Sequence, residues 1–471
     1  MGNRFLVVGG DAAGMSAAGK ALRDDPDREV VVFEQGEWVA YGACGLPYYE
    51  AGVVDDLSDL VVVDPAEIEA RGIDLRRGHD VVDVDADART VTVAAADGRY
   101  EAAYDDLLLA TGGRATFPDV PGADLAGAFA VRNLAAGRAL HNYVVPEERP
   151  PVAAVEAGYG AALRRHLATA RPAVAGVIGA NKIGLEMAEA FLARGLDVHV
   201  FESGSQVLPA FGAAAAGVVA DHLREQGVTL HLDATVEALA GTGGRVAAVE
   251  TDVGRVPVDV VLVDVGIEPN VDLAQAAGAA LGETGAVAVD EYGETSVPHV
   301  YAAGDCAEKH HLLADGPVRW PYALAANRAG RAIGATVAGD PTPVGSIVGT
   351  GVMKTFDLEV ARTGLLDAEA RTAGFDPVSK TITTITRAHY YPGWSRIVVH
   401  AVCDRTTGRF LGASLVGREG AAHRINSVAG PLHAGMTVDE VGALDFGYAP
   451  PFGPVWDPVL AAARALSGDL S

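Results

Sequence analysis

Short apolar runs recur along the first 340 residues, each closed by glycine or an acid and followed by a stretch with helical spacing. Residues 5–8 (Phe-Leu-Val-Val) read as a buried strand, 15–22 as helix, and 29–33 as a second strand. The same order returns at 177–178, through a helix to 192, and at 198–201. Unbroken apolar runs at 107–110, 261–263 and 300–303 fit strands buried on both faces, which lose the alternation seen when one face meets water. Beyond about residue 340 the pattern becomes alternating, first at 381–386. Residues 396–403 and 410–416 then flank Asp404-Arg405-Thr406-Thr407-Gly408, a hairpin signal, and helical stretches follow at 419–434 and 438–443. The pattern predicts an α/β chain followed by a smaller α+β domain.

The glycines give these elements a chemistry. Gly9-Gly10-Asp11-Ala12-Ala13-Gly14 joins the first strand to its helix, and the second strand ends at Glu34, about 20 residues after the last glycine. Strand, glycine turn, helix, strand and acid form a complete dinucleotide fingerprint. Glycine lets the backbone approach a pyrophosphate, the helix start offers N–H donors, and the acid accepts from a ribose hydroxyl. Gly9, Gly10, Ala13, Gly14 and Glu34 are therefore candidate contacts of a first dinucleotide, with Asp11 standing where a middle glycine usually sits.

Gly179-Ala180-Asn181-Lys182-Ile183-Gly184-Leu185-Glu186 repeats the turn, and Glu202 closes the strand after it. This second copy ends with Val261 to Val265, Gly266 and Asn270. It lies between two strand-to-glycine segments of like layout, Asp106 to Ala110-Thr111-Gly112 and Val300 to Ala303-Gly304-Asp305. One nucleotide-binding unit is thus inserted into another. Gly179, Gly184, Glu186, Glu202 and Gly266 are candidate contacts of the second dinucleotide. Glu202, followed by Ser203 with no arginine nearby, suits a free 2′-hydroxyl and hence NADH over NADPH.

Length and charge narrow the class. At 471 residues the chain needs two or three cores. Its net charge of −26, with only five lysines, argues against nucleic acid or an anionic membrane as partner and resembles proteins of salt-loving organisms. The longest uncharged run, 203–220, contains serines, glutamine and proline and is not expected to span a membrane. No cationic-then-apolar leader opens the chain, and a cytoplasmic location is expected. The thirteen histidines include His310-His311 but no metal-ligand spacing, so no metal site is expected.

Three cysteines, Cys44, Cys306 and Cys403, build no disulfide framework and no CxxC pair, which suits a reducing compartment. Cys44 lies in Val39-Ala40-Tyr41-Gly42-Ala43-Cys44-Gly45-Leu46-Pro47-Tyr48-Tyr49, where Pro47 marks a first helical turn. A thiol at a helix start meets the positive end of the macrodipole, which favours thiolate. Cys306 and Cys403 read as packing residues.

The order of these motifs over nearly the whole chain resembles the FAD-dependent pyridine nucleotide–disulfide oxidoreductases, in particular their single-cysteine branch of coenzyme A disulfide reductases and NADH oxidases. The matching residues are the first glycine turn, Cys44-Gly45-Leu46-Pro47-Tyr48-Tyr49, Ala110-Thr111-Gly112, Ala303-Gly304-Asp305-Cys306-Ala307-Glu308, His389-Tyr390-Tyr391-Pro392-Gly393 and Tyr448-Ala449-Pro450-Pro451. The resemblance implies two nested Rossmann-like domains, the first binding FAD with Asp305 at its ribityl–phosphate region, and a C-terminal dimerisation domain. The expected boundaries are 1–117 with 297–338 for FAD, 118–296 for NAD(P)H with a connector at 144–172, and 339–471 for the homodimer. Tyr49 stands where two-cysteine relatives carry a second thiol, and near the C-terminus Tyr448 stands in place of a His–Glu pair.

A lone thiol needs a partner sulfur from the substrate, or a sulfenic acid as its oxidised form. The resemblance therefore implies Cys44 as the redox residue, with Tyr390 and Tyr448 from the partner subunit as proton donors. The acceptor is coenzyme A disulfide, a related small disulfide or a persulfide. The alternative acceptor is O₂, reduced to water or peroxide, and a third reading is a regulatory flavoprotein without turnover. Asn181 replaces a glycine, and Lys182 a tyrosine that shields the flavin in relatives; both bear on NADH binding. Ala43 lacks the polar side chain some relatives carry there. Lys20 and Arg23, at the end of the first helix, are candidate contacts for coenzyme A phosphates.

Overall fold

The computed structural model describes residues 4–148 and 171–470; most of the 144–172 connector lies outside the described residues. A five-stranded parallel sheet is built in the order Val300–Ala302, Asp106–Leu109, Arg4–Val8, Glu29–Glu34, Asp74–Arg77. Alternate residues of its strands enter two different cores. Phe5 and Val7 pack on the helices Ala12–Asp24 and Ala323–Val337. Leu6 and Val8 pack on an antiparallel three-stranded sheet formed by Asp80–Asp85, Thr90–Ala95 and Gly98–Ala103. Both faces are covered, which is why these strands carry no polar stripe.

The second sheet repeats this plan in the order Thr229–His231, Asp197–Phe201, Val174–Ile178, Val260–Val263, Ala128–Phe129. Val177 and Leu262 face a core shared with the helices Leu134–Val144, Lys182–Ala193 and Ala213–Glu225. Ile178, Val261 and Val263 face a second three-stranded sheet, 236–257. The last strand of the first sheet, Val300–Ala302, follows the whole second sheet in the chain, so one unit is inserted into the other. The two crossings lie side by side as an antiparallel pair, Gly113–Ala115 with Ile267–Pro269.

The C-terminal part is a five-stranded antiparallel sheet in the order Gly351–Thr355, Leu358–Gly364, Phe410–Gly417, Arg396–Asp404, Pro377–Ile385. Helices Ala421–Ala434 and Pro458–Ser467 contribute Ile425, Val428, Val459 and Leu466 to its buried side. The expected hairpin turn is closed by Asp404, whose Oδ2 accepts from the Thr407 backbone N–H (3.0 Å) and hydroxyl (2.7 Å). The strand expected at 381–386 begins earlier, at Pro377, because Ser379 and Lys380 already pair with Val402 and Ala401. Among the described residues no helix is long and apolar enough to cross a membrane.

Helices Ala12–Asp24 and Ala323–Val337 touch along small residues. A Cβ on Gly330 would strike the Ala13 carbonyl, and one on Gly334 the Ala17 carbonyl. Gly330→Ala is therefore expected to lower unfolding stability by about 1–3 kcal/mol through overpacking. Gly217→Ala, on an exposed helix position with open space around it, is expected to raise stability by about 0.5–1 kcal/mol. Urea unfolding of the two variants checks the pair.

Candidate active site

Both glycine turns fold the same way. Gly9 takes φ +109° and donates its N–H to Phe33 O (2.8 Å); Gly179 takes φ +99° and donates to Phe201 O (2.8 Å). A Cβ on Gly14 would strike Gly9 O, and one on Gly184 would strike Gly179 O, so the following helix packs against its own turn. Glu34 accepts from the N–H of Gly10 (2.9 Å) and of Gly36 (2.7 Å). Glu202 accepts from Ala180 (3.0 Å) and Gly204 (2.8 Å). Each acid thus clamps its turn, with the helix-start N–H groups left without intrahelical acceptors.

The two departures from glycine behave differently. Asn181 donates its Nδ2–H to Asp264 O (3.0 Å), which draws the side chain back toward its own unit. Asp11 is half-buried near Glu34, and loss of hydration pushes its carboxyl up to about 6, against the pull of the Tyr41 and Ala12 backbone amides. The compensating charge is Arg132, which the sequence did not single out. It has no motif around it, only a place one residue before Asn133, the cap of helix Leu134–Val144. Its guanidinium pairs with Asp305 and faces Asp11, Tyr41 and Cys44, whose charges oppose the lowering of its pKa by burial.

Asp305 sits in the turn Gly304–Cys306, underpinned by Lys309, whose Nζ donates to the carbonyls of Gly304 (2.5 Å) and Ala307 (3.0 Å). Burial pushes that ammonium down to about 8. Thr111 donates its hydroxyl to Asn270 O (2.7 Å), and Asn270 returns its Nδ2–H to Thr111 O (2.8 Å). Gly112 accepts from the Asn270 N–H, and Gly266 from the Thr116 N–H (both 3.0 Å). Ala110 lies against Gly9, so these residues join the two crossings beside the first turn. A glycine cradle, free helix-start amides, a ribose-ready acid and a half-buried arginine fit an anionic dinucleotide in the first unit.

Cys44 is exposed, whereas Cys306 and Cys403 are buried. It sits in a 3₁₀ turn, Ala43–Gly45, leading into the helix Leu46–Glu50 with Pro47 in its first turn. That helix has five residues, too few for the macrodipole expected to favour thiolate; the positive charge that faces Cys44 is Arg132. The helix is pinned to the second unit. Arg194 Nε donates to Glu50 O (2.5 Å), Glu50 lies 3.2 Å from His141 Nδ1 in a buried pair, and the Tyr49 ring packs on His141 at 4.5 Å. Glu186 is buried nearby, its carboxyl pushed up to about 7 by burial, partly offset by Lys182.

Tyr390 and Tyr448 come together from distant parts of the C-terminal domain, their hydroxyls 3.1 Å apart. That hydrogen bond pushes the Tyr448 phenol up. Both are exposed, as are Trp394, Phe452, Val455 and Trp456. Neither tyrosine hydrogen-bonds to Cys44 within this chain among the described residues. A cavity of about 690 Å³ lies between the first helix and the segment 62–73. Met15, Arg23, Tyr41, Gly42 and Arg71 line it; Gly42 precedes Cys44 by two residues, and Cys44 itself is not among the lining residues. Lys20 is not among its lining residues and pairs with Asp24.

The profile of the pyridine nucleotide-disulphide oxidoreductases matches residues 3–329, and that of their dimerisation domain matches 351–458. An NAD(P)H coenzyme A polysulfide/persulfide reductase of Pyrococcus horikoshii is 36% identical over 471 residues, 99% of each chain. An NADH oxidase of Methanocaldococcus jannaschii is 32% identical over 464 residues, 98% of each. The NAD-dependent persulfide reductase from A. fulgidus superposes with a TM-score of 0.90 at 33% identity, covering 99% of this chain and 83% of that one. The chain belongs to the pyridine nucleotide-disulphide oxidoreductase family, whose members use FAD and NAD(P)H.

Proposed function

We infer that this chain reduces coenzyme A disulfide, or a related small disulfide or persulfide, with electrons from NADH, through the single thiol of Cys44. The observation that carries the reading is the cavity beside the Cys44 turn. Arg23 lines it, hydrogen-bonded to Gly19 O (3.2 Å) and in no ion pair among the described residues, in a chain of net charge −26. An unpaired guanidinium fits phosphate, and the mainly apolar walls fit a pantetheine arm reaching toward sulfur. The name of the Pyrococcus horikoshii relative supports coenzyme A as the thiol.

Gly9, Gly10, Ala13, Gly14, Glu34, Arg132 and Asp305 would hold FAD, and Gly179, Gly184, Glu186 and Glu202 NADH. Bound FAD supplies the exchange between a two-electron hydride donor and sulfur. Cys44 attacks the substrate as thiolate: the S–S bond of RS–SR breaks, a Cys44–S–S–R bond forms, and RS⁻ leaves. Tyr448 of the partner subunit, supported by Tyr390 of the partner subunit, donates the proton that leaves RSH. Two electrons from NADH then cleave the mixed disulfide, so that NADH, one proton and RSSR yield NAD⁺ and two RSH. Arg132 places a positive charge within electrostatic reach of Cys44. The exposed aromatic surface around Tyr448 and Trp456 supports a homodimer that brings the tyrosines to the partner's Cys44. The absence of any cation in the 203–206 loop after Glu202 supports NADH over NADPH, and three free cysteines suit the cytoplasm.

Mass spectrometry of the protein purified without reductant tests the acceptor. A coenzyme A adduct on Cys44 is the expected result; a sulfenic or higher acid with no adduct points to the oxidase reading that the Methanocaldococcus jannaschii relative suggests. Cys44→Ser is expected to keep stoichiometric FAD while losing disulfide turnover; full activity in that variant sinks the proposed role. Arg23→Ala is expected to raise KM for coenzyme A disulfide about tenfold, leaving kcat nearly unchanged, as loss of a charge-assisted contact to the substrate body. Steady-state kinetics separates the two parameters.

A further inference from the structure

Lys309 is the one buried lysine among the five of this acidic chain, 8% exposed. Lys20, Lys354 and Lys380 pair with Asp24, Glu189 and Asp469, and Lys182 rests on the Tyr322 ring. Lys309 has no carboxylate partner among the described residues; its Nζ donates instead to the carbonyls of Gly304 (2.5 Å) and Ala307 (3.0 Å). Neutral carbonyls replace part of the lost hydration but leave the charge uncancelled, and such a charge is costly out of water. The titratable groups around it are engaged elsewhere. Asp305 pairs with Arg132, Glu308 accepts from the Thr284 N–H (2.8 Å), and His310 lies between Ser346 and Asp315. Cys306, whose thiol donates to the Leu109 and Ala303 carbonyls, is the titratable group that faces the ammonium.

The two carbonyls bracket the turn Gly304–Cys306, in which Gly304 takes φ +83°. Gly304 abuts the first fingerprint helix: a Cβ on it would come within 3.4 Å of the Ala13 Cβ. A trans peptide sets its N–H opposite its C=O, so an ammonium on Gly304 O leaves the Asp305 N–H directed away from Lys309. That N–H has no acceptor among the described residues. The turn is thus tied to a buried positive charge on one side and keeps an open donor on the other, beside the glycine turn that fits a dinucleotide.

We propose that Lys309 is a positioning residue for the anionic cofactor of the first unit, holding the Gly304–Cys306 turn that presents Asp305 and supplying a charge that the bound cofactor balances. The role rests on the reading that the first unit holds FAD and is independent of the sulfur acceptor. Burial pushes the ammonium down to about 8, so it is charged at about pH 7 and largely neutral at about pH 9. The pyrophosphate of FAD favours the protonated amine, so affinity for FAD falls as pH rises through about 8. Asp11, held near 6, titrates below this window.

Serial dilution of the FAD-loaded enzyme, read by the fluorescence of released flavin, gives Kd between about pH 7 and pH 9. The wild type is expected to lose about three- to tenfold in affinity over that range. Lys309→Met is expected to bind about three- to tenfold more weakly at pH 7, near the wild-type value at pH 9, and to lose nothing further as pH rises. Lys309→Arg, whose guanidinium stays charged, is expected to give a flat profile as well. A merely structural prop would weaken binding in Lys309→Met and leave the wild-type profile flat. A flat wild-type profile, or a fall that persists in either variant, overturns the role of Lys309 while leaving the first unit as the FAD site. Wild-type protein that holds no FAD at pH 7 overturns that role and the assignment together.

Discussion

Arg132 carries the charge balance on which the space between the first glycine turn and Cys44 depends. A guanidinium partly withdrawn from water is costly unless paired, and so are neighbouring carboxylates partly withdrawn from it. Here the two costs offset each other. Arg132 pairs with Asp305 and faces Asp11, while Asp11 and Glu34 repel one another strongly enough to contribute to the raised carboxyl of Asp11. A half-buried arginine together with helix-start amides is a combination that suits added negative charge. The same guanidinium lies within electrostatic reach of Cys44.

The sulfur is positioned where the first unit meets the inserted one. Its short helix is fastened to the inserted unit through Arg194, Glu50 and His141, and the inserted unit is fastened to the C-terminal domain. Glu189 accepts from Lys354 (2.8 Å) and from the Phe356 N–H (2.6 Å), so the tip of the hairpin 351–364 grips the helix that carries Lys182 and Glu186. Ser414 reaches across to Phe211 O (2.7 Å) in the same sense. Packing of this density leaves little freedom for the helix, so a ligand in the cleft is met by side-chain movement more readily than by domain movement.

The two glycine turns were legible because their function requires backbone geometry, and backbone geometry requires glycine. Gly9 and Gly179 adopt positive φ, and Gly14 and Gly184 leave no room for a Cβ, constraints that show in a linear sequence as spacing. The hairpin at Asp404 was legible for a like reason, since the carboxylate closes its own turn within three residues. Arg132 was not legible, because it meets Asp305 across 173 residues and nothing in its local sequence records that meeting. The idea that a helix dipole faces Cys44 failed on length: the pattern marked the helix start correctly, but five residues align too few peptide dipoles.

The sequence by itself determined the α/β plan, the insertion of one nucleotide unit into another, the single exposed thiol and the antiparallel domain that follows. Each of these is written in local periodicity or in the spacing of residues that act on their own backbone. Only the tertiary structure decided that Tyr390 meets Tyr448, that Arg23 shares a cavity wall with Tyr41 and Gly42, and that Lys182 lies on Tyr322. Those relations join side chains far apart in the chain, and their energies depend on distance and burial, quantities that exist only after the chain has folded.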